Sequence, residues 1–195
     1  MPDQGVKVAI TGGPCDGKST VLYCIRDMGF PVVQADEVVQ RLYASRWFCE
    51  VFSRTVSPEF IINGTIDRFL LLRAMVEEGQ LRRRLNSLIH PLVFREILWW
   101  MEGHKVAFAE VPLLVESVTF GCFDFVWVVD AGEEERFRRL QARLGGDEGL
   151  ARRLLGTQLP TAGKHAFADE IIRTNCPLEA VRDEVKALVV RMARS

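Results

Sequence analysis

Gly12-Gly13-Pro14-Cys15-Asp16-Gly17-Lys18-Ser19 is the stretch on which the reading of this chain turns. It fits the pattern G-x-x-x-x-G-K-[ST], and the chemistry explains the spacing. Successive backbone N–H groups must curl around a polyphosphate, so glycines stand where a Cβ would block the turn or the anion. Such a loop then feeds a helix N-terminus, which adds donors and the positive end of a dipole. Lys18 is placed to neutralise the outer phosphates, and the Ser19 hydroxyl to ligate Mg²⁺. Gly12, Gly13, Cys15, Asp16, Gly17, Lys18, Ser19 and Thr20 are therefore the expected ATP-binding residues, with Ser19 as the metal ligand. Cys15 puts a side chain where the loop should be tightest, beside a nest of N–H groups whose field favours thiolate; a tolerated variable position is the simpler alternative.

The flanks supply the context such a loop needs. Val6-Lys7-Val8-Ala9-Ile10 is short, apolar and β-branched, which predicts a buried strand. Residues 19–28 carry Val21, Leu22, Ile25 and Met28 at helical spacing. Pro31-Val32-Val33 predicts a second strand, with Asp36 at its carboxyl edge and a helix over 37–43. Further strands are expected at 105–111, 123–129 and 170–173, and helices at 132–144 and 177–192. Between them, 47–60 shows no clean period, Asn63-Gly64 signals a turn, and 66–76 and 81–101 read as helices. Pro91 is expected to kink the second of these or to start a new segment. Strands alternating with helices predict an α/β fold with a parallel five-stranded sheet and helices on both faces. The expected division is a core of 1–60 and 103–195, a lid at about 139–160, and a helical insertion at 61–102.

Composition narrows the function classes. The chain has 195 residues and a formal net charge of −1, so no global field draws it to nucleic acid or to anionic lipid. No stretch approaches a membrane span, and Met1–Gly5 lacks the basic start and apolar run of a signal peptide. The five cysteines form no CxxC pair and lie at no metal-ligand spacing from histidine. Reduced thiols in a cytoplasmic protein are expected, as is a monomer or weak homo-oligomer.

Beyond the loop, the sequence resembles the dephospho-CoA kinase family. The opening Ala9-Ile10-Thr11-Gly12-Gly13 through Gly17-Lys18-Ser19-Thr20 is similar to that family's start. Pro31-Val32-Val33-Gln34-Ala35-Asp36-Glu37 resembles its strand ending in Asp-Ala-Asp. Gly64-Thr65-Ile66-Asp67-Arg68 resembles its Gly-x-Leu-Asp-Arg segment, and Leu88-Ile89-His90-Pro91-Leu92 its Leu-His-Pro junction. Val111-Pro112-Leu113-Leu114-Val115-Glu116 is similar to its Pro-Leu-Leu-Phe-Glu signature. Arg139-Leu140-Gln141-Ala142-Arg143 resembles the start of its lid, and Ala168-Asp169-Glu170-Ile171-Ile172 with Asn175 its closing strand. The resemblance implies a P-loop core, a CoA-binding helical insertion, a mobile lid, and transfer of the ATP γ-phosphoryl group to the ribose 3′-hydroxyl of dephospho-CoA.

It also assigns roles. Asp36 becomes the catalytic base, at the sheet edge where ligands of open α/β sheets bind; a helix cap is the competing role. Lys18 and Arg143 complete the catalytic set, with Gly145-Gly146 as a hinge. Arg68 and His90 contact dephospho-CoA; a surface ion pair and a helix cap are their competing roles. Pro112, Leu113, Leu114 and Glu116 shape the acceptor site. The sequence departs from the family pattern at Gln34, Gln40 and Leu154, and at Pro14 and Cys15 within the loop. A related nucleoside or nucleotide kinase, or a catalytically silent nucleotide-binding module, remain as alternatives.

Overall fold

The apolar run before the glycine loop forms β1 (Val6–Thr11), the centre of a five-stranded sheet. The structure is a computed structural model that describes residues 5–156 and 158–194. The leader reading at Met1–Gly5, apart from Gly5, and Thr157 of the expected lid lie outside the described residues. After β1 come α1 (Lys18–Asp27), β2 (Val32–Gln34), α2 (Ala35–Ala44) and α3 (Arg46–Thr55). A short hairpin, β3 (Ile61–Ile62) and β4 (Thr65–Ile66), precedes α4 (Arg68–Glu77) and α5 (Gly79–Met101). The chain continues through β5 (Val106–Glu110), β6 (Phe125–Asp130), α6 (Glu133–Arg143), α7 (Glu148–Leu155) and α8 (Thr161–Lys164). It closes with β7 (Glu170–Arg173) and α9 (Leu178–Arg194).

The strand order is β2-β5-β1-β6-β7, and the pairings of β1 with β5, β1 with β6, and β6 with β7 are parallel. This is the five-stranded parallel sheet expected from the alternation of strands and helices. Val8, Ile10, Phe108, Trp127 and Val129 belong to one buried cluster with Val21, Leu22 and Ile25 of α1 and Val181, Val185 and Val189 of α9. Ala9, Ala107, Ala109 and Val128 are buried as well, so both faces of the sheet are covered, as parallel sheets require. Trp127 is wholly buried, whereas Trp99 is exposed. Truncating a buried aromatic such as Trp127 to alanine costs about 3–5 kcal/mol.

Gln34–Trp99 forms a second compact unit. This unit takes in most of the insertion expected at 61–102 and begins directly after β2. The reason lies in α3, whose Phe48 and Phe52 are four residues apart and fully buried. Phe48 stacks near Tyr43 of α2 at 6.1 Å between ring centroids, and Phe52 meets Phe60 edge-on at 6.3 Å. Trp47 and Val51, exposed on the same helix, blur that period in the sequence.

One expectation is corrected and another narrowed. The insertion contains strands as well as helices, because Asn63-Gly64 closes the β3–β4 hairpin with both residues at positive φ. Of the two alternatives for Pro91, a new helical segment is not formed: α5 is one element of 23 residues with Pro91 inside it. Proline there removes a single i→i−4 hydrogen bond. Leu81, Leu85, Ile89, Val93 and Ile97 bury one stripe of α5 on either side of the proline.

Candidate active site

The glycine loop sits at the carboxyl end of β1, where the crossover topology puts β5 on one side of β1 and β6 on the other. Gly12 has φ 151°, and a Cβ there would lie 2.5 Å from the Val129 carbonyl oxygen. Gly17 has φ 88°, and its Cβ would lie 2.9 Å from Thr174 Oγ1. Neither position admits a side chain. Between them Cys15 takes φ 63°, a left-handed conformation that costs a non-glycine residue free energy. No side chain caps α1, and within its first turn the Thr20 N–H donates to the Gly17 carbonyl at 3.0 Å. The loop and α1 together therefore offer a row of amides to an anion. Lys18 Nζ folds over the loop, donating to the Gly13 carbonyl at 2.9 Å and the Gly12 carbonyl at 3.2 Å. Ser19 is exposed in the first turn of α1.

Asp16 behaves differently from its loop neighbours. It is fully buried, and its carboxylate accepts from the Gly13 N–H at 2.6 Å, Thr161 Oγ1 at 2.5 Å and the Ala131 N–H at 3.3 Å. Its side chain braces the loop from within and is not offered to a nucleotide.

Glu110, the last residue of β5, pairs in register with Ile10 of β1. Its carboxylate lies 3.9 Å from Lys18 Nζ. The chain then turns through Pro112, whose carbonyl accepts from Thr11 Oγ1 at 3.2 Å and from Lys164 Nζ at 2.9 Å. Lys164 is fully buried and also pairs with Glu116 at 3.0 Å. Glu116 Oε1 accepts from the Leu159 N–H at 3.2 Å as well. The structure thus engages Glu116 with the segment before and within α8. Leu114 is fully buried, while Pro112 and Leu113 are half-buried.

Arg139 and Arg143 share one helix but not one environment. Arg139 donates to the Thr174 carbonyl at 2.7 Å, Thr174 Oγ1 at 3.3 Å and the Cys15 carbonyl at 3.4 Å, and pairs with Glu135 at 2.7 Å. Hydrogen bonds from Arg138 and Arg139 push the Glu135 carboxyl down to about 2. Arg143 is exposed at the end of α6. Gly145 and Gly146, at φ 66° and 93°, link it to α7. On α7, Arg152 lies over the Phe137 ring of α6 at 4.8 Å and pairs with Glu148 at 2.7 Å.

In the helical unit, Asp36 is exposed in the first turn of α2, where Gln34 is the N-cap residue and no side chain caps the helix. Asp36 is therefore not a cap. Arg68 opens α4, and Asp67 caps that helix by accepting from the Phe69 and Leu70 N–H groups, both at 2.9 Å. Tyr43 is pushed up to about 12 by burial, opposed by the positive field of Arg68. His90 lies mid-helix and half-buried, and burial pushes its pKa below the ordinary imidazole value. A helix-capping role for His90 is excluded by its position.

A sequence profile described as dephospho-CoA kinase matches residues 6–179. The chain belongs to the dephospho-CoA kinase family. A dephospho-CoA kinase from Jannaschia sp. (strain CCS1) is 32% identical over 188 residues, spanning 95% of this chain and 96% of its relative. Among solved structures, a Thermus thermophilus protein aligns with a TM-score of 0.81 at 28% identity, covering 96% of this chain and 98% of that one. The dephospho-CoA kinase from Campylobacter jejuni aligns with a TM-score of 0.67 at 21% identity, covering 98% and 100%, which shows the shared fold. Membership in the dephospho-CoA kinase family makes the chain a phosphotransferase of the P-loop kinase type, which uses a nucleotide.

Among the described residues, no helix is long and apolar enough to cross a membrane. For a member of the dephospho-CoA kinase family, the sequence reading passed over Glu110, Thr161 and Lys164. Glu110 carried a faint signal, an acid ending an apolar strand. Thr161 and Lys164 carried none, because a four-residue helix has no period to read.

Proposed function

We propose that this chain transfers the γ-phosphoryl group of ATP to the ribose 3′-hydroxyl of dephospho-CoA, yielding CoA and ADP, in the cytoplasm. The observation that carries the reading is Lys18 folded over a left-handed glycine loop, beside Glu110, at the carboxyl end of β1.

Phosphoryl transfer asks for positioning and charge neutralisation more than for covalent help. The loop amides and the uncapped start of α1 receive the β- and γ-phosphates, and Lys18 neutralises their charge. Asp36 accepts the proton of the 3′-hydroxyl as its oxygen bonds to the γ-phosphorus. The bond from that phosphorus to the β–γ bridging oxygen breaks, and its electron pair leaves with ADP. Arg143, beside the Gly145-Gly146 hinge, brings positive charge to the transferred group. Arg68 and neutral His90 hold dephospho-CoA, the first through its diphosphate. Pro112 and Leu113 form the acceptor wall, with Leu114 fully buried, and Glu116 supports it through Lys164.

The oxygen donors of Ser19 and Glu110 fit Mg²⁺, a hard cation that keeps several waters and binds with one or two protein groups plus phosphates. Held there, it would supply charge neutralisation to the transferring phosphoryl group.

The test is a coupled ADP-release assay with purified protein, ATP, Mg²⁺ and dephospho-CoA, run against adenosine and AMP. Turnover should appear with dephospho-CoA and vanish in Asp36→Asn while ATP binding survives. Lys18→Ala should lose ATP affinity and turnover together. No signal with dephospho-CoA above the controls sinks the assignment.

A further inference from the structure

Three buried polar side chains behind the glycine loop have no place in the transfer just described. Asp16, Thr161 and Arg136 come from the loop, α8 and α6, and all three are buried. They form a directional chain. Arg136 Nη1 donates to Thr161 Oγ1 at 2.6 Å, and that hydroxyl donates to Asp16 Oδ2 at 2.5 Å. Arg136 Nε is buried with no hydrogen-bond partner among the described residues, so the guanidinium relies on the Thr161 hydroxyl to meet an anion. Each link is charge-assisted and shielded from water, where such bonds are strong and costly to break.

The chain does not end at Asp16. Oδ2 also accepts the Gly13 N–H at 2.6 Å. That N–H belongs to the same planar peptide group as the Gly12 carbonyl, and the two point in opposite directions. A carboxylate that holds one end of the plane therefore aims the other. The Gly12 carbonyl, so aimed, accepts from Lys18 Nζ at 3.2 Å. Space at this point leaves no freedom: a Cβ on Gly13 would lie 2.7 Å from Arg136 Nη1 and 3.0 Å from Thr161 Oγ1.

Thr161 is also the first residue of α8, which directly follows the expected lid at 139–160. The other end of that short helix is anchored by Lys164 on the Pro112 carbonyl and Glu116. The Thr161 hydroxyl thus links the segment after α7 to the loop by a hydrogen bond.

We propose that Asp16, Thr161 and Arg136 are positioning residues that orient the Gly12–Gly13 peptide, and through it the Lys18 ammonium, so that the end of the lid sets the loop's readiness for the phosphates of a nucleoside triphosphate. The inference rests on the reading of the loop as the ATP site, but not on the identity of the acceptor.

The experiment measures binding of a non-hydrolysable ATP analogue with Mg²⁺ by calorimetry, ATP and dephospho-CoA KM values, and thermal stability, for the full chain. Thr161→Val keeps the shape of the side chain and removes the hydroxyl. It should weaken analogue binding and raise the ATP KM about tenfold, equivalent to about 1.4 kcal/mol, with the dephospho-CoA KM within twofold of wild type. Thr161→Ser should restore both ATP values. Arg136→Met carries the same test if Thr161→Val does not fold, with at least a threefold loss of analogue affinity expected. Analogue affinity within twofold of wild type in the folded variant, with only thermal stability lowered, overturns the proposal. So does an equal loss toward both substrates. A wild-type protein that binds the analogue but does not phosphorylate dephospho-CoA would refute the acceptor assignment and leave the relay's own readout intact.

Discussion

Arg139 of α6 donates through Nη2 to the backbone carbonyl of Thr174 at 2.7 Å, just past the end of β7. Its other terminal nitrogen reaches the Cys15 carbonyl at 3.4 Å, so one side chain ties the glycine loop to the last strand. Arg139 and Arg143 lie one helical turn apart on α6. In the structure, the first is a half-buried clamp and the second an exposed arginine just before Gly145-Gly146.

Arg139→Met should therefore lower stability by about 1–3 kcal/mol, the range for losing charge-assisted hydrogen bonds at a site still partly open to solvent. Arg143→Met should stay within about 0.5 kcal/mol of wild type, as an exposed substitution does. Denaturant unfolding at constant m-value compares the two. Equal stability of both variants would mean that the Arg139 bonds contribute nothing net.

Glu110→Gln conserves volume and removes the charge 3.9 Å from Lys18. If Glu110 helps hold the metal, the Mg²⁺ concentration for half-maximal rate should rise and kcat/KM fall at least tenfold, about 1.4 kcal/mol of transition-state stabilisation. A steady-state titration of Mg²⁺ reads this. An unchanged Mg²⁺ response would rule out a metal-holding role for Glu110.

At Cys15, φ is 63°. A left-handed non-glycine residue costs of order 1–3 kcal/mol. Glycine relieves that cost but adds roughly 0.4–1 kcal/mol of unfolded-state entropy. Cys15→Gly should come out more stable by about 1 kcal/mol, and Cys15→Val, β-branched at the same φ, less stable than wild type. The midpoints of urea unfolding order the three proteins.

His90 gives a pH dependence of definite sign. Burial pushes its folded-state pKa below the unfolded value of about 6.5. Between the two values the unfolded chain binds more protons, so stability rises with pH in that window. The contribution of neutral His90 is full above about pH 6.5 and is lost as pH falls through the folded-state pKa. The stability difference between wild type and His90→Asn should shrink from pH 7.5 to pH 5.5. A difference that grew on acidification would mean that the imidazole is held charged.

Much of this was legible in the residues. The strand–loop–helix unit around Lys18 reads directly, because glycines at positive φ, an apolar strand and a helical stripe are written within a few neighbouring positions. The other four strands of the sheet read for the same reason. Short motifs carried the family. By contrast, the β3–β4 hairpin spans two residues per strand, too few for alternation to appear. At Pro91 local rules leave a kink and a new segment both open, because they weigh its missing N–H and not the buried stripe that continues past it.

What the sequence by itself determined is the local chemistry: a phosphate-binding loop, five strands and the helices between them. What only the tertiary structure decided is which distant groups meet. Glu110 stands beside Lys18 because β5 pairs with β1, although no spacing links the two. Asp16 and Thr161 are 145 positions apart and share a 2.5 Å hydrogen bond. Local conformation follows from steric preferences over a few residues, but such pairings follow from the strand order and from the cost of burying any charge that lacks a partner. Of the eight residues quoted first, it was Asp16, its carboxylate held by Gly13, Ala131 and Thr161, whose role required the whole fold.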